Sequence, residues 1–235
     1  MIRHALGRLI DICVLPLVPA RLLLRIEYFK RVKLLKWEPE IEQICRLAKP
    51  GSYAIDVGSN LGLYSLAFAK SGLFDRVIAF EPNPGITKCL ADSDLPNVEI
   101  RHIALSDSLR EDVLKVPVQS GRSLSGWASL EDNIDLETDE FETHRVKTMT
   151  LDSLELRGCT LIKIDVEGHE LSMLNGAREF FQENRPTCLI EIREHHYEQV
   201  ARFFDDLDAG YRELGENELS CGITPGNHVF VAGSQ

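Results

Sequence analysis

A chain of 235 residues suits one α/β domain with a decorated core and is short for two. Its 44% hydrophobic and 27% charged content is ordinary for a globular protein, and a net charge of −11 argues against a general nucleic-acid binder, which carries a basic balance. Six cysteines (13, 45, 89, 159, 188, 221) stand far apart with no C-x-x-C pair, which predicts a reduced, cytoplasmic protein.

Residues 1–36 reverse the overall charge, with eight Lys or Arg against two acidic residues. Leu9 to Leu24 is apolar but broken by Asp11, Pro16, Pro19 and Arg21. That is too interrupted for a spanning helix, which needs about 20 apolar residues. No small-residue cleavage site follows the basic start. Residues 1–49 are expected to form a basic, helical N-terminal extension. It either caps the domain or lies peripherally on an anionic membrane at its cytoplasmic face. Within it, Trp37 to Ala48 has helical spacing, and Pro50-Gly51 ends it.

The main domain, 50–235, opens with Tyr53 to Val57, which reads as a buried parallel strand. A turn follows in which Gly58 and Gly62 flank Ser59 and Asn60; Leu61, Tyr64, Ser65, Phe68 and Ala69 then recur on one helix face. Strand, glycine turn and helix begin a nucleotide-binding βαβ unit, where missing Cβ atoms let the backbone approach a ligand. Dinucleotide sites require G-x-G-x-x-G. Asp56-x-Gly58-x-Asn60-x-Gly62 does not match, which argues against an NAD-dependent oxidoreductase. Asp56 puts a carboxylate beside the turn, unfavourable to phosphates but suited to the ammonium and sulfonium of S-adenosylmethionine. The spacing resembles motif I of class I methyltransferases.

Arg76 to Glu81 reads as a second strand whose terminal carboxylate is placed for ribose hydroxyls, and Pro82-Asn83-Pro84 as the start of a helix. Val98 to Ile103 reads as a third strand, and Ala104-Leu105-Ser-Asp107 as a loop near an adenine. The segment 112–149 reads as an insertion, with strands at 112–118 and 144–149 around an acidic loop in which Trp127 is a lid or an anchor. Thr160 to Asp165 is the fourth strand, Leu171 to Phe181 a helix, and Cys188 to Ile192 the fifth strand. A helix through Val200 and Leu207 leads to strands at Tyr211–Leu214 and His228–Ala232.

Together, Asp56-Val-Gly-Ser-Asn-Leu-Gly62, Phe80-Glu-Pro-Asn-Pro84 and Lys163-Ile-Asp-Val-Glu-Gly-His-Glu170 resemble the FkbM family of methyltransferases, and Thr150-Leu-Asp-Ser-Leu154 fits as well. The resemblance implies a Rossmann-like seven-stranded, mostly parallel sheet with an antiparallel last strand, and methylation of a hydroxyl on a saccharide or natural product. Asp56, Gly58, Asn60, Gly62, Glu81, Pro82, Ala104, Leu105 and Asp165 are the candidate cofactor residues. Asp165, Glu191, Lys163 and His196 are the candidate catalytic set at the carboxyl ends of strands four and five, where open α/β sheets bind ligands. His195, Glu167 and Glu170 stand nearby. Lys163 shares a strand face with Asp165 and is placed to hold that carboxylate ionised. These oxygens also suit a divalent cation, although no H-x-x-x-H spacing supports one. A non-catalytic scaffold docking a biosynthetic enzyme through its basic segment is the remaining alternative.

Overall fold

The computed structural model describes residues 18–49, 52–119, 122–124, 127–131, 140–220 and 222–233. Aliphatic runs without polar alternation form strands buried on both faces, as parallel sheets require. Five strands are parallel, in the spatial order β3 (Val98–Arg101), β2 (Phe74–Phe80), β1 (Ser52–Val57), β8 (Cys159–Ile164) and β9 (Thr187–Glu191). β11 (Asn227–Val231) pairs antiparallel with β9, and β10 (Arg212–Glu213) antiparallel with β11. This is the seven-stranded sheet that the resemblance implies.

One sheet face carries Ile55, Ile78, Phe80, Ile162 and Ile190 against α5 (Glu170–Asn175), α6 (Arg178–Asn184) and α7 (Tyr197–Asp205). The other carries Ala54, Val77, Leu161 and Leu189 beneath α3 (Leu63–Lys70). A single apolar stripe is expected on α3, yet Leu63 to Phe68 are all buried, because α1 (Ala20–Tyr28) and α2 (Ile41–Leu47) cover its outer side.

The described part of the N-terminal segment is therefore packed on the domain. A π-helical turn, Phe29–Leu34, joins α1 to the stretch before α2. Glu27 pairs with Lys30 at 2.7 Å and with Arg31 at 3.3 Å, and Lys33 pairs with Glu42, so part of the basic excess is balanced within the chain. The helix expected from Trp37 starts only at Ile41. Buried Glu40 precedes it and accepts from Tyr64, Thr224 and Asn227, at 3.2, 3.0 and 2.7 Å. Residues 1–17, with Arg3, Arg8 and most of the apolar run, lie outside the described residues. Among the described residues no helix is long and apolar enough to cross a membrane.

A second sheet has the order β4 (Ala104–Leu105), β7 (Phe141–Met149), β5 (Arg110–Gln119) and β6 (Arg122–Ser123). Leu114, Val116 and Val146 give it a small core of its own. Its two long strands extend beyond the expected 112–118 and 144–149. The strand expected to reach Ile103 stops at Arg101, and Ala104-Leu105 crosses to the second sheet instead.

Two further helices differ from expectation. Pro82 opens a turn, and only Lys88–Ala91 (α4) is helical, because side chains claim the nearby N–H groups. Glu81 accepts from Asn83 N–H and Asn83 Oδ1 from Gly85 N–H, both at 3.0 Å. The helix expected over Leu171 to Phe181 breaks after Asn175. A Cβ on Gly176 would stand 2.1 Å from the Ser106 carbonyl oxygen, so the chain passes too closely to the second sheet to carry any other residue. Asp152 restarts the helix by accepting from Phe180 N–H at 2.8 Å and Glu179 N–H at 3.2 Å.

Loss of such a cap costs about 1 kcal/mol. Asp152→Ala is expected to lower the unfolding free energy by that amount, seen as a lower urea midpoint with an unchanged m-value. An unaltered midpoint would show that α6 is held by packing alone.

Candidate active site

The site is built at the carboxyl edge of the sheet, starting from the turn after β1. Gly58, Asn60 and Gly62 adopt positive φ values of 71°, 51° and 92°, and Gly58 N–H and Ser59 N–H both donate to the Phe80 carbonyl, at 2.9 and 3.1 Å. The reason for the two glycines differs from the one expected. A Cβ on Gly58 would lie 1.8 Å from the Asp165 carbonyl oxygen, and one on Gly62 would lie 2.7 Å from Leu90. The missing side chains make room for the protein's own β8 end and α4.

Asp56 also differs. Its side chain is fully buried, and Oδ2 accepts from Ser65 N–H at 2.9 Å and Ser65 Oγ at 2.6 Å, anchoring the first turn of α3. It stands in register with Lys163 on β8. Asp56 is thus an internal anchor, and neither it nor Gly62 lines the clefts described next.

A first cleft, open to solvent, spans about 590 Å³. Seven candidate cofactor residues line it: Gly58, Asn60, Glu81, Pro82, Ala104, Leu105 and Asp165. Glu81 is almost buried; its Oε2 accepts from Asn60 N–H and its Oε1 from Asn83 N–H, each at 3.0 Å. A carboxylate has about four acceptor sites, so capacity remains for a ligand hydroxyl. Burial pushes its pKa up, and the two N–H groups work against that rise.

The roof of this cleft escaped sequence reasoning. Leu114, Ala128, Ser129 and Leu130 come from the second sheet and its loop. Ser129 exchanges backbone hydrogen bonds with Lys115 at 2.9 and 3.0 Å, and its Oγ donates to the Glu167 carbonyl at 2.7 Å. Buried His169, another lining residue, bridges Glu131 at 2.6 Å (Nδ1) and Ser106 Oγ at 2.9 Å (Nε2). The resemblance motif contained His169, but its partners lie 38 and 63 residues away. Trp127 is 41% exposed and lines neither cleft.

Lys163 is the electrostatic centre of the catalytic candidates. Burial opposes its charge, but Asp165 and Asp56 hold its pKa above the ordinary lysine range. Its Nζ donates to Asp165 Oδ2 at 2.9 Å and lies 5.0 Å from the centre of the Tyr64 ring. Beyond Asp165 stand further acids. Partial burial and then Asp165 push Glu191 up to about 7; the same causes push Glu167 up to about 8, with Arg193 at 3.8 Å opposing. His196 is drawn elsewhere than expected: it lines neither cleft, and its Nδ1 lies 3.9 Å from buried Glu170. Burial, then His195 and Arg193, lower its pKa. Among the described residues no group of three or more His, Cys, Asp or Glu is placed to hold a metal ion.

Three comparisons bear on this geometry. A sequence model of the methyltransferase FkbM domain matches residues 56–217. The antimetabolite synthetase AmbE of Pseudomonas aeruginosa is 32% identical over 163 residues, which span 54% of this chain and 8% of that protein. The crystal structure of methyltransferase FkbM from Methylobacillus flagellatus KT superposes with a TM-score of 0.51 at 16% identity, over 91% of this chain and 55% of that one. The chain thus spans about half the length of that structure and a small part of the synthetase.

The raised carboxyls make a stability prediction. A carboxyl whose folded pKa is raised stabilises the fold below its unfolded value, and that contribution is lost as pH rises through the folded value. For Glu167 the window runs from the ordinary 4.5 to about 8. Thermal unfolding of the ligand-free protein is expected to show falling stability across this range, with a flatter slope in Glu167→Gln. Equal slopes would remove Glu167 as a cause.

Proposed function

Because the chain belongs to the FkbM methyltransferase family, we propose that it transfers the methyl group of S-adenosylmethionine to a hydroxyl of a saccharide or a natural product. The observation that carries this reading is the first cleft, where a buried carboxylate, Glu81, faces an apolar wall that includes Ile103, Leu105 and Leu114. That donor set fits an adenosine: a carboxylate accepts from ribose hydroxyls, and aliphatic side chains sandwich a base. S-adenosylmethionine, when bound, supplies a methyl group on a positively charged sulfur, open to in-line attack.

The chain's own contribution is to position the acceptor and receive its proton. A hydroxyl is a poor nucleophile until a base takes its proton. Asp165 borders the cleft, and its Oδ2 accepts from Lys163 Nζ at 2.9 Å, which fixes the carboxylate's orientation. His196 faces Glu170, so the role of base passes to Asp165 on geometry. The roof formed by Ser129 and Leu130 limits water at the cleft, which strengthens the electrostatics inside. The name of the Pseudomonas relative, an antimetabolite synthetase, supports the natural-product arm.

Asp165→Asn is expected to give a folded but less stable chain, in which Asp56 is the remaining counter-charge of Lys163, and to keep the affinity for S-adenosylhomocysteine while turnover falls by about 100-fold or more. Full turnover would assign Asp165 to structure. Glu81→Ala is expected to weaken S-adenosylhomocysteine by about 10- to 100-fold, since a hydrogen bond to a charged group is worth about 1.5–3 kcal/mol. Calorimetric titration with S-adenosylhomocysteine and NAD tests the cofactor itself. Binding of NAD alone would favour an oxidoreductase.

A further inference from the structure

A second cleft, of about 620 Å³, meets the first at the turn after β1: Gly58, Asn60 and Asp165 line both. Its chemistry is different. Where the first cleft has an apolar wall and one ribose-facing carboxylate, the second gathers two cations, Arg31 and Lys163, and two anions, Glu38 and Asp165. Lys163 and Asp165 satisfy each other at 2.9 Å. Arg31 and Glu38 are held less closely, at 3.7 Å, with the Arg31 Nε donating to Glu27 at 3.3 Å. Ser59, another lining residue, is only 5% exposed, and its hydroxyl is buried without a hydrogen-bond partner. An orphaned buried hydroxyl is costly unless something binds it.

A cleft that carries both signs of charge, with a loosely held Arg31–Glu38 pair and an unpaired hydroxyl in its lining, complements a zwitterion. The charges also interact with the centre of the site. Burial raises the pKa of Glu38, while Arg31 and Lys163 oppose that rise. Both Arg31 and Glu38 precede the family-matched region, which begins at residue 56. The segment that the sequence presents as a cap or a membrane-facing extension thus reaches the cleft.

We propose that the N-terminal segment completes the cofactor site. Arg31 and Ser59 bind the carboxylate of the cofactor's amino-acid end, and Glu38 binds its ammonium. This rests on the reading above, in which the first cleft holds the adenosine. The ligand class is then a nucleoside thioether or sulfonium bearing an α-amino acid, and one carrying only the nucleoside and thioether loses these contacts.

The test is calorimetric titration of the full chain with S-adenosylhomocysteine and with 5′-methylthioadenosine, which keeps the adenosine and thioether but lacks the amino-acid end. The wild-type chain is expected to bind S-adenosylhomocysteine more tightly. Arg31→Gln and Glu38→Gln are each expected to weaken it by about 10- to 100-fold, the range for a lost charged hydrogen bond, and to leave methylthioadenosine binding unchanged. Lys30 still pairs with Glu27 in the Arg31 variant, so the segment keeps its packing. Wild-type affinity for both ligands in both variants overturns the proposal. Equal weakening of the two ligands overturns it as well, in favour of a role in shaping the turn. A wild-type chain that binds neither thioether overturns the underlying cofactor reading.

Discussion

A buried ammonium at the centre of a parallel sheet is tolerable only if its counter-charges are folded in with it. Lys163 meets that condition through two carboxylates, Asp165 on its own strand and Asp56 in register on the next. Asp56 in turn anchors the first turn of α3 through Ser65, and α3 supplies the Tyr64 ring beside the ammonium. The central strands, α3 and the carboxyl edge of the sheet are therefore joined by one polar cluster. Removing one partner of such a set leaves another uncompensated, which generally costs more than the set contributes when intact. Asp56 is internal to the same set: its Oδ2 is held by Ser65 and it stands in register with Lys163, while its Oδ1 has no hydrogen-bond partner and burial raises its pKa.

The roof of the first cleft is a separate structural solution. The second sheet has its own small core around Leu114, Val116 and Val146, so its hairpin is shaped independently of the Rossmann-like sheet. It is joined to the site by a few polar contacts: Ser129 to the Glu167 carbonyl, and Glu131 and Ser106 to His169. Such contacts are directional and contribute about 1 kcal/mol each. They fix the orientation of the roof, whose own apolar residues Leu114 and Val116 are buried. Glu167 and Gly168, both at positive φ, shape the turn that carries the Glu167 carbonyl and His169.

Sequence alone determined the architecture and the axis of the site. Parallel strands, the Gly58–Gly62 turn, the acid at Glu81 and the Lys163-to-Asp165 spacing are local patterns, and local patterns report on periodicity and turn geometry within a few residues. The seven-stranded sheet was what the family resemblance implied, and the spatial order of its strands came from the structure. Tertiary structure decided what each residue is used for. Asp56 became an anchor and the two glycines clearances for Asp165 and Leu90; His196 turned to Glu170, the helix before α6 broke at Gly176, and Arg31 and Glu38 came to a cleft whose other walls lie 20 to 134 residues further along. None of this has a local signature. Burial and pairing depend on which surfaces meet after the sheet has formed, and a carboxylate spends its oxygens on whichever donor then lies closest.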